Sequence, residues 1–208
     1  MTNIHFRWID DASRPDHTFL ETDDKCLYLY EFTKGGGYAG DNQLIANLKK
    51  KPATANDYEL EYKQAAIAQA AHALLGALNP EFLNSATFVP VPPSKAATDP
   101  THDDRMTRVC RGLGHSVDVR ELVTQAVSME ASHERGVKPR IQVPDLLAVY
   151  NINEALALPL PHTFAIVDDV LTTGTHFKAM KAVLLERFPN ARIFGLFVAR
   201  RVFAAPEF

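Results

Sequence analysis

Apolar positions along this chain follow two spacings, one helical and one continuous. Leu60, Ile67, Ala71, Leu74 and Leu78 recur at helical spacing and predict a helix over residues 57–78. Asn56 with Glu59 has the form of a capping box that starts this helix, and Asn79-Pro80 stops it. Ala86-Thr87-Phe88-Val89-Pro90-Val91 is a continuous apolar run, predicting a buried strand that ends in Pro92-Pro93. Residues 116–123, 163–170 and 193–199 predict three more strands. Residues 103–113 predict a helix closed by Gly112 and Gly114. Residues 175–188 predict another, with Phe177, Met180, Leu184 and Phe188 on one face. Strands alternating with helices indicate an α/β fold, a parallel twisted sheet flanked by helices. Residues 124–150 carry few regular signals, and a stretch that long reads as a functional or disordered loop.

Residues 1–57 read differently. Their strand candidate, Cys26-Leu27-Tyr28-Leu29-Tyr30-Glu31-Phe32, is rich in aromatics and runs into a turn at Gly35-Gly36-Gly37. The expected division is therefore a small N-terminal subdomain over 1–57 and an α/β core over 58–208. Tyr28, Tyr30 and Phe32 are expected to fill the subdomain's own core. Lys49-Lys50-Lys51 reads as a solvated charge cluster, and Arg105, Arg108 and Arg111 as a solvated helix face.

Composition narrows the classes. A chain of 208 residues is long enough for one well-packed domain. A formal net charge of −3 argues against an extended nucleic-acid interface. Two cysteines, Cys26 and Cys110, exclude a disulfide framework and a cysteine zinc site. The start is polar and acidic, unlike a signal peptide, and no apolar stretch approaches membrane-spanning length. A cytoplasmic protein with no membrane partner is the expectation.

The chemistry concentrates in Ile166-Val167-Asp168-Asp169-Val170-Leu171-Thr172-Thr173-Gly174-Thr175-His176. An apolar strand leads into two carboxylates, then into a hydroxyl-rich turn with one glycine, then into a helix. Carboxylates can accept hydrogen bonds from two vicinal sugar hydroxyls. The turn offers hydroxyls and backbone N–H groups to a phosphate, beside the positive end of a helix dipole. In a parallel sheet, ligands bind at the carboxyl ends of strands, where this turn and the Pro92-to-Lys95 exit should both lie. The chain holds no Gly-x-x-x-x-Gly-Lys-Ser/Thr, which disfavours a P-loop ATPase.

These residues resemble the signature of the type I phosphoribosyltransferases, which bind 5-phosphoribosyl-1-pyrophosphate (PRPP). The match is close over residues 163–176, and the order of elements over 57–201 supports it more loosely. Phe88-Val89-Pro90-Val91-Pro92 is similar to the strand before the pyrophosphate loop in the lone, competence-associated branch, although the cysteines of that branch's zinc module are absent. The resemblance implies that Asp168 and Asp169 hold the ribose hydroxyls and contact Mg²⁺ indirectly. Thr172, Thr173, Gly174, Thr175 and His176 would wrap the 5′-phosphate, with Ser94 and Lys95 on pyrophosphate. Lys138 and Arg140, in a loop closing over the reacting centre, would neutralise pyrophosphate as it leaves. Residues 1–57 would be the hood that selects the acceptor, such as a nucleobase. Dimers are common in the family, so a homodimer is one state to expect.

One position departs from the pattern. Aligned on the two aspartates, His176 stands where the family closes its turn with Thr. A nearby phosphate dianion would favour the charged imidazole. Two other readings stay open: a PRPP-binding protein that senses without turnover, and a scaffold used in DNA uptake or defence.

Overall fold

The computed structural model of the chain describes residues 4–128 and 141–203. Its strands are β1 (Arg7–Trp8), β2 (Cys26–Thr33), β3 (Thr87–Pro90), β4 (Val123–Gln125), β5 (Tyr150–Ile152), β6 (Thr163–Leu171) and β7 (Arg192–Val202). Its α-helices are α1 (Gly40–Leu48), α2 (Asp57–Ala77), α3 (Pro80–Ser85), α4 (Arg105–Arg111), α5 (Val143–Leu147) and α6 (Thr175–Arg187). Five strands form the central sheet in the order β1-β2-β7-β6-β3. All neighbours in it are parallel except the short edge pair β1 and β2. The protein is thus α/β, with a mostly parallel sheet flanked by helices.

Both faces of the sheet are covered, which is why its central strands read as unbroken apolar runs. Phe164 and Ile166 of β6 enter one core layer with Phe177, Met180 and Leu184 of α6. Ala165 and Val167, one residue out of step, enter the other layer with Ile45 and Leu48 of α1, Leu74 of α2 and Val109 of α4. The same alternation sends neighbouring polar residues at the strand's end to opposite faces.

Helix α2 starts as its sequence indicates. Asn56 accepts the Glu59 N–H at 3.0 Å, and Glu59 returns the bond to the Asn56 N–H at 3.1 Å. The stop at Asn79-Pro80 is also a restart. Asn79 accepts the Glu81 N–H at 2.8 Å and caps α3, with Pro80 in its first turn.

Several elements sit differently from their sequence expectations. Within residues 1–57, β2 pairs with β7 over seven residue pairs, and α1 packs into the core layer shared with α2 and α4. Tyr28 and Tyr30 therefore pack with the main core, because β2 lies beside β7. Residues 116–123 follow the sheet edge with one parallel bridge, Val119 to Phe88. Their alternating polar positions are spent on side-chain bonds: Arg120 binds Asp118 at 2.8 Å and the carbonyls of Leu156 and Pro159. Within 124–150, β4 pairs antiparallel with β5 and α5 packs near α6, elements too short to show a period. Among the described residues, no helix is long and apolar enough to cross a membrane.

Candidate functional site

The chain leaves β3 and β6 toward opposite faces of the sheet. α4 follows β3 and joins one core layer, whereas α6 follows β6 and joins the other. Adjacent parallel strands whose exits diverge leave a crevice at their carboxyl ends, the usual ligand position in such sheets. Asp168, Asp169 and the turn 172–175 close β6 at that edge, and Ser94 and Lys95 leave β3 beside it.

The two carboxylates are not equivalent. Asp169 is buried and its Oδ2 accepts from Arg105 twice, Nε at 3.0 Å and Nη2 at 2.7 Å. Lys49 Nζ lies 3.3 Å from its Oδ1. Burial alone would raise this carboxyl, but Lys49 and Arg105 outweigh it and hold Asp169 well below the usual carboxylate range. Asp168 is half-buried and accepts the Asp169 N–H at 2.8 Å. Burial, and then the adjacent Asp169 charge, push its carboxyl up. Among the described residues, no cation pairs with it directly.

Lys49 and Arg105 are therefore not the solvated charges their sequence context suggests. They belong to a chain of ion pairs running beneath the crevice. Arg105 Nη1 also binds Asp103 at 2.7 Å, and Asp103 accepts from Lys63 at 2.9 Å. Lys63 is 1% exposed and donates to the carbonyls of Leu48 and Lys50 at 2.6 and 2.8 Å. One lysine thus ties the end of α1 to α4, which keeps Lys49 beside Asp169.

Gly174 shapes the turn. Its φ of +87° is the left-handed conformation that side chains resist, and a Cβ there would sit 2.8 Å from Leu20 Cδ2. Gly174 also provides no capping side chain, so the first N–H groups of α6 are left to solvent or a ligand. The carbonyl side of the turn is held by the segment before β2. His17 Nδ1 meets the Thr172 carbonyl, and the Phe19 N–H donates to the Thr173 carbonyl at 2.9 Å. In a trans peptide the N–H opposes the C=O, so the Thr173 and Gly174 N–H groups face away from that segment. Thr173 and Thr175 hydroxyls lie 2.8 Å apart. No motif pointed to His17, which lies 155 positions from its partner.

His176, in the first turn of α6, meets the Tyr150 hydroxyl through Nδ1 at 2.8 Å. Burial is the main reason its titration is pushed down to about 4, with Asp169 opposing and Lys49 assisting. A titration that low favours the uncharged imidazole at neutral pH.

Ser94 and Lys95 serve the loop through their backbones. The Ser94 carbonyl accepts from Gln125 Nε2 at 2.6 Å, and the Lys95 carbonyl lies 2.9 Å from His102 Nδ1. Lys138 and Arg140 lie outside the described residues. Glu21, Asp23 and Asp24 each place an oxygen within 4.8 Å of the others, but Lys178 and Lys181 bind all three. A cleft of about 470 Å³ between α2 and α4, lined by Leu60, Gln64, Thr107, Arg108 and Glu121, includes neither aspartate nor the turn.

No protein-family model matches this chain, and no curated protein matches it by sequence. A divalent cation fits Asp168 better than Asp169, whose oxygens already face a guanidinium and an ammonium. Mg²⁺ favours oxygen ligands and keeps several waters, which suits one carboxylate acting through water.

Proposed function

We propose that this protein binds PRPP at the crevice between β3 and β6 and transfers its phosphoribosyl group to a small-molecule acceptor, releasing pyrophosphate. One observation carries the reading. The uncapped start of α6, entered through a left-handed glycine and a hydroxyl turn, lies beside Asp168 where two strands part. The phosphate would take the N–H groups and hydroxyls of Thr172, Thr173, Gly174 and Thr175, with His176 at its side. Asp168 would accept from the ribose hydroxyls. Asp169 would act differently from its neighbour, anchoring Lys49 and Arg105 near the leaving group.

The bond from ribose C1 to pyrophosphate oxygen breaks as the acceptor bonds to C1, and positive charge builds on the sugar ring. An ionised Asp168 stabilises that charge, and the turn fixes the ring by its phosphate. Mg²⁺, bound with pyrophosphate, would supply charge neutralisation, with Asp168 reaching its waters. Ser94 and Lys95, and Lys138 and Arg140, remain proposed pyrophosphate contacts.

Titration calorimetry with PRPP and Mg²⁺ tests this reading. Saturable binding that falls sharply when Asp168→Asn and Asp169→Asn are combined is expected; no binding by the unaltered protein would overturn it. The ion pairs on Asp169 favour a second reading, binding without turnover, since only one carboxylate is unpaired. The two separate on pyrophosphate release with a panel of nucleobases, which the sensor would not show.

A further inference from the structure

The sugar-phosphate reading leaves one pair unexplained. Tyr150 is buried on β5, in the small two-stranded sheet, yet its hydroxyl reaches out of that sheet to a residue of the proposed phosphate turn. Among the described residues that hydroxyl bonds only to His176 Nδ1, at 2.8 Å. A buried tyrosine keeps its proton, and a buried O–H needs an acceptor. Nδ1 can accept only when it carries no hydrogen. The hydrogen of a neutral imidazole then sits on Nε2, which among the described residues has no protein partner. The ring sits in the first turn of α6, where the helix N–H groups are also unpaired.

Resting on that reading, we propose that Tyr150 is a positioning residue: it locks His176 as a neutral Nε2–H donor, so that the imidazole replaces a hydroxyl in closing the turn around a sugar-phosphate. A protonated ring would lose this arrangement, because Nδ1–H would face the Tyr150 hydroxyl hydrogen. The groups acting on the ring pull in different directions, Lys49 with burial and Asp169 against it. Tyr150 lies on β5, Asp169 on β6 and Lys49 after α1, with Asp168 acting on Tyr150 in turn. The Asp145 carboxylate of α5 is engaged by the Gln142 N–H, and β4 brings no titratable group. Burial outweighs Asp169 and keeps the ring uncharged.

The test combines ¹⁵N NMR of the histidine rings with ribose 5-phosphate binding. The unaltered protein should show His176 as the Nε2–H tautomer, titrating far below an ordinary histidine. Tyr150→Phe should mix the tautomers, move the titration upward and weaken ribose 5-phosphate binding about fivefold, the size of one neutral hydrogen bond. In a His176→Thr background, Tyr150→Phe should change binding less than about twofold, since its effect runs through the imidazole. An Nδ1–H tautomer in the unaltered protein would overturn the proposal. So would an equal loss from Tyr150→Phe in both backgrounds, which would mark a merely structural tyrosine. If the tautomer and its response to Tyr150→Phe are as stated but ribose 5-phosphate does not bind, the lock stands and the sugar-phosphate reading falls.

Discussion

Arg105 sets two guanidinium nitrogens, at 3.0 and 2.7 Å, on a single oxygen of Asp169 across 64 positions of sequence. That pairing places two adjacent aspartates in different electrostatic settings. Asp169 is ionised and held by cations, and Asp168 is left as the carboxylate open to the crevice.

Arg105→Ala should destabilise the protein by about 3–5 kcal/mol, because it leaves Asp169 buried and short of a partner. It should also change acid unfolding. A carboxyl held low in the folded state adds stability above its unfolded titration range, lost as pH falls through the folded value. Losing Arg105 raises that folded value, so the variant should unfold at higher pH than the parent. Circular dichroism across an acid titration measures the midpoint; coincident midpoints would count against the pairing.

Asp168→Asn should act in the opposite direction on stability. Its raised carboxyl favours the folded state at low pH, and that contribution is lost as pH rises through the raised value. The amide removes this cost, so the melting temperature at neutral pH should rise slightly. Ribose 5-phosphate affinity should fall about 10-fold or more, the worth of a hydrogen bond to a charged group. Calorimetry reads both, and a variant that loses stability would contradict the assignment.

Lys63→Met should cost about 3 kcal/mol or more, since it strands the Leu48 and Lys50 carbonyls and Asp103 together. For a chain of this size that is roughly 6–12 °C in melting temperature. Scanning calorimetry decides it; a melting temperature unchanged from the parent's would show the network is dispensable.

Gly174→Ala should lower stability by about 1–3 kcal/mol through its left-handed backbone, with a further loss from the Leu20 contact. Leu20→Ala in the same chain should recover only the contact. Gly174→Ala should also weaken ribose 5-phosphate binding, and Leu20→Ala should not restore it; isothermal calorimetry showing unaltered binding by Gly174→Ala would count against the turn as the phosphate site.

Much of the architecture was legible in local patterns. The capping box of α2, the buried runs of β3, β6 and β7 and the glycine that opens α6 each follow from neighbours within a few residues. What local patterns leave open is set by distant partners. Nothing near Cys26–Thr33 in sequence announces β7 as its neighbour. The site divides the same way. Asp168, Asp169 and the turn could be picked out from one contiguous string, whereas His17, Lys49, Arg105 and Tyr150 could not.

By itself the sequence determined that carboxylates, hydroxyls and a glycine follow a buried strand and precede a helix. That order depends only on backbone periodicity and on the one residue that tolerates positive φ. The tertiary structure decided their chemical states. Charge, tautomer and burial are set by groups brought together across the sheet: Arg105 and Lys49 on Asp169, Tyr150 on His176, and His17 and Phe19 behind the turn. Coulombic and hydrogen-bond energies depend on distance in space, so residue order alone leaves them open.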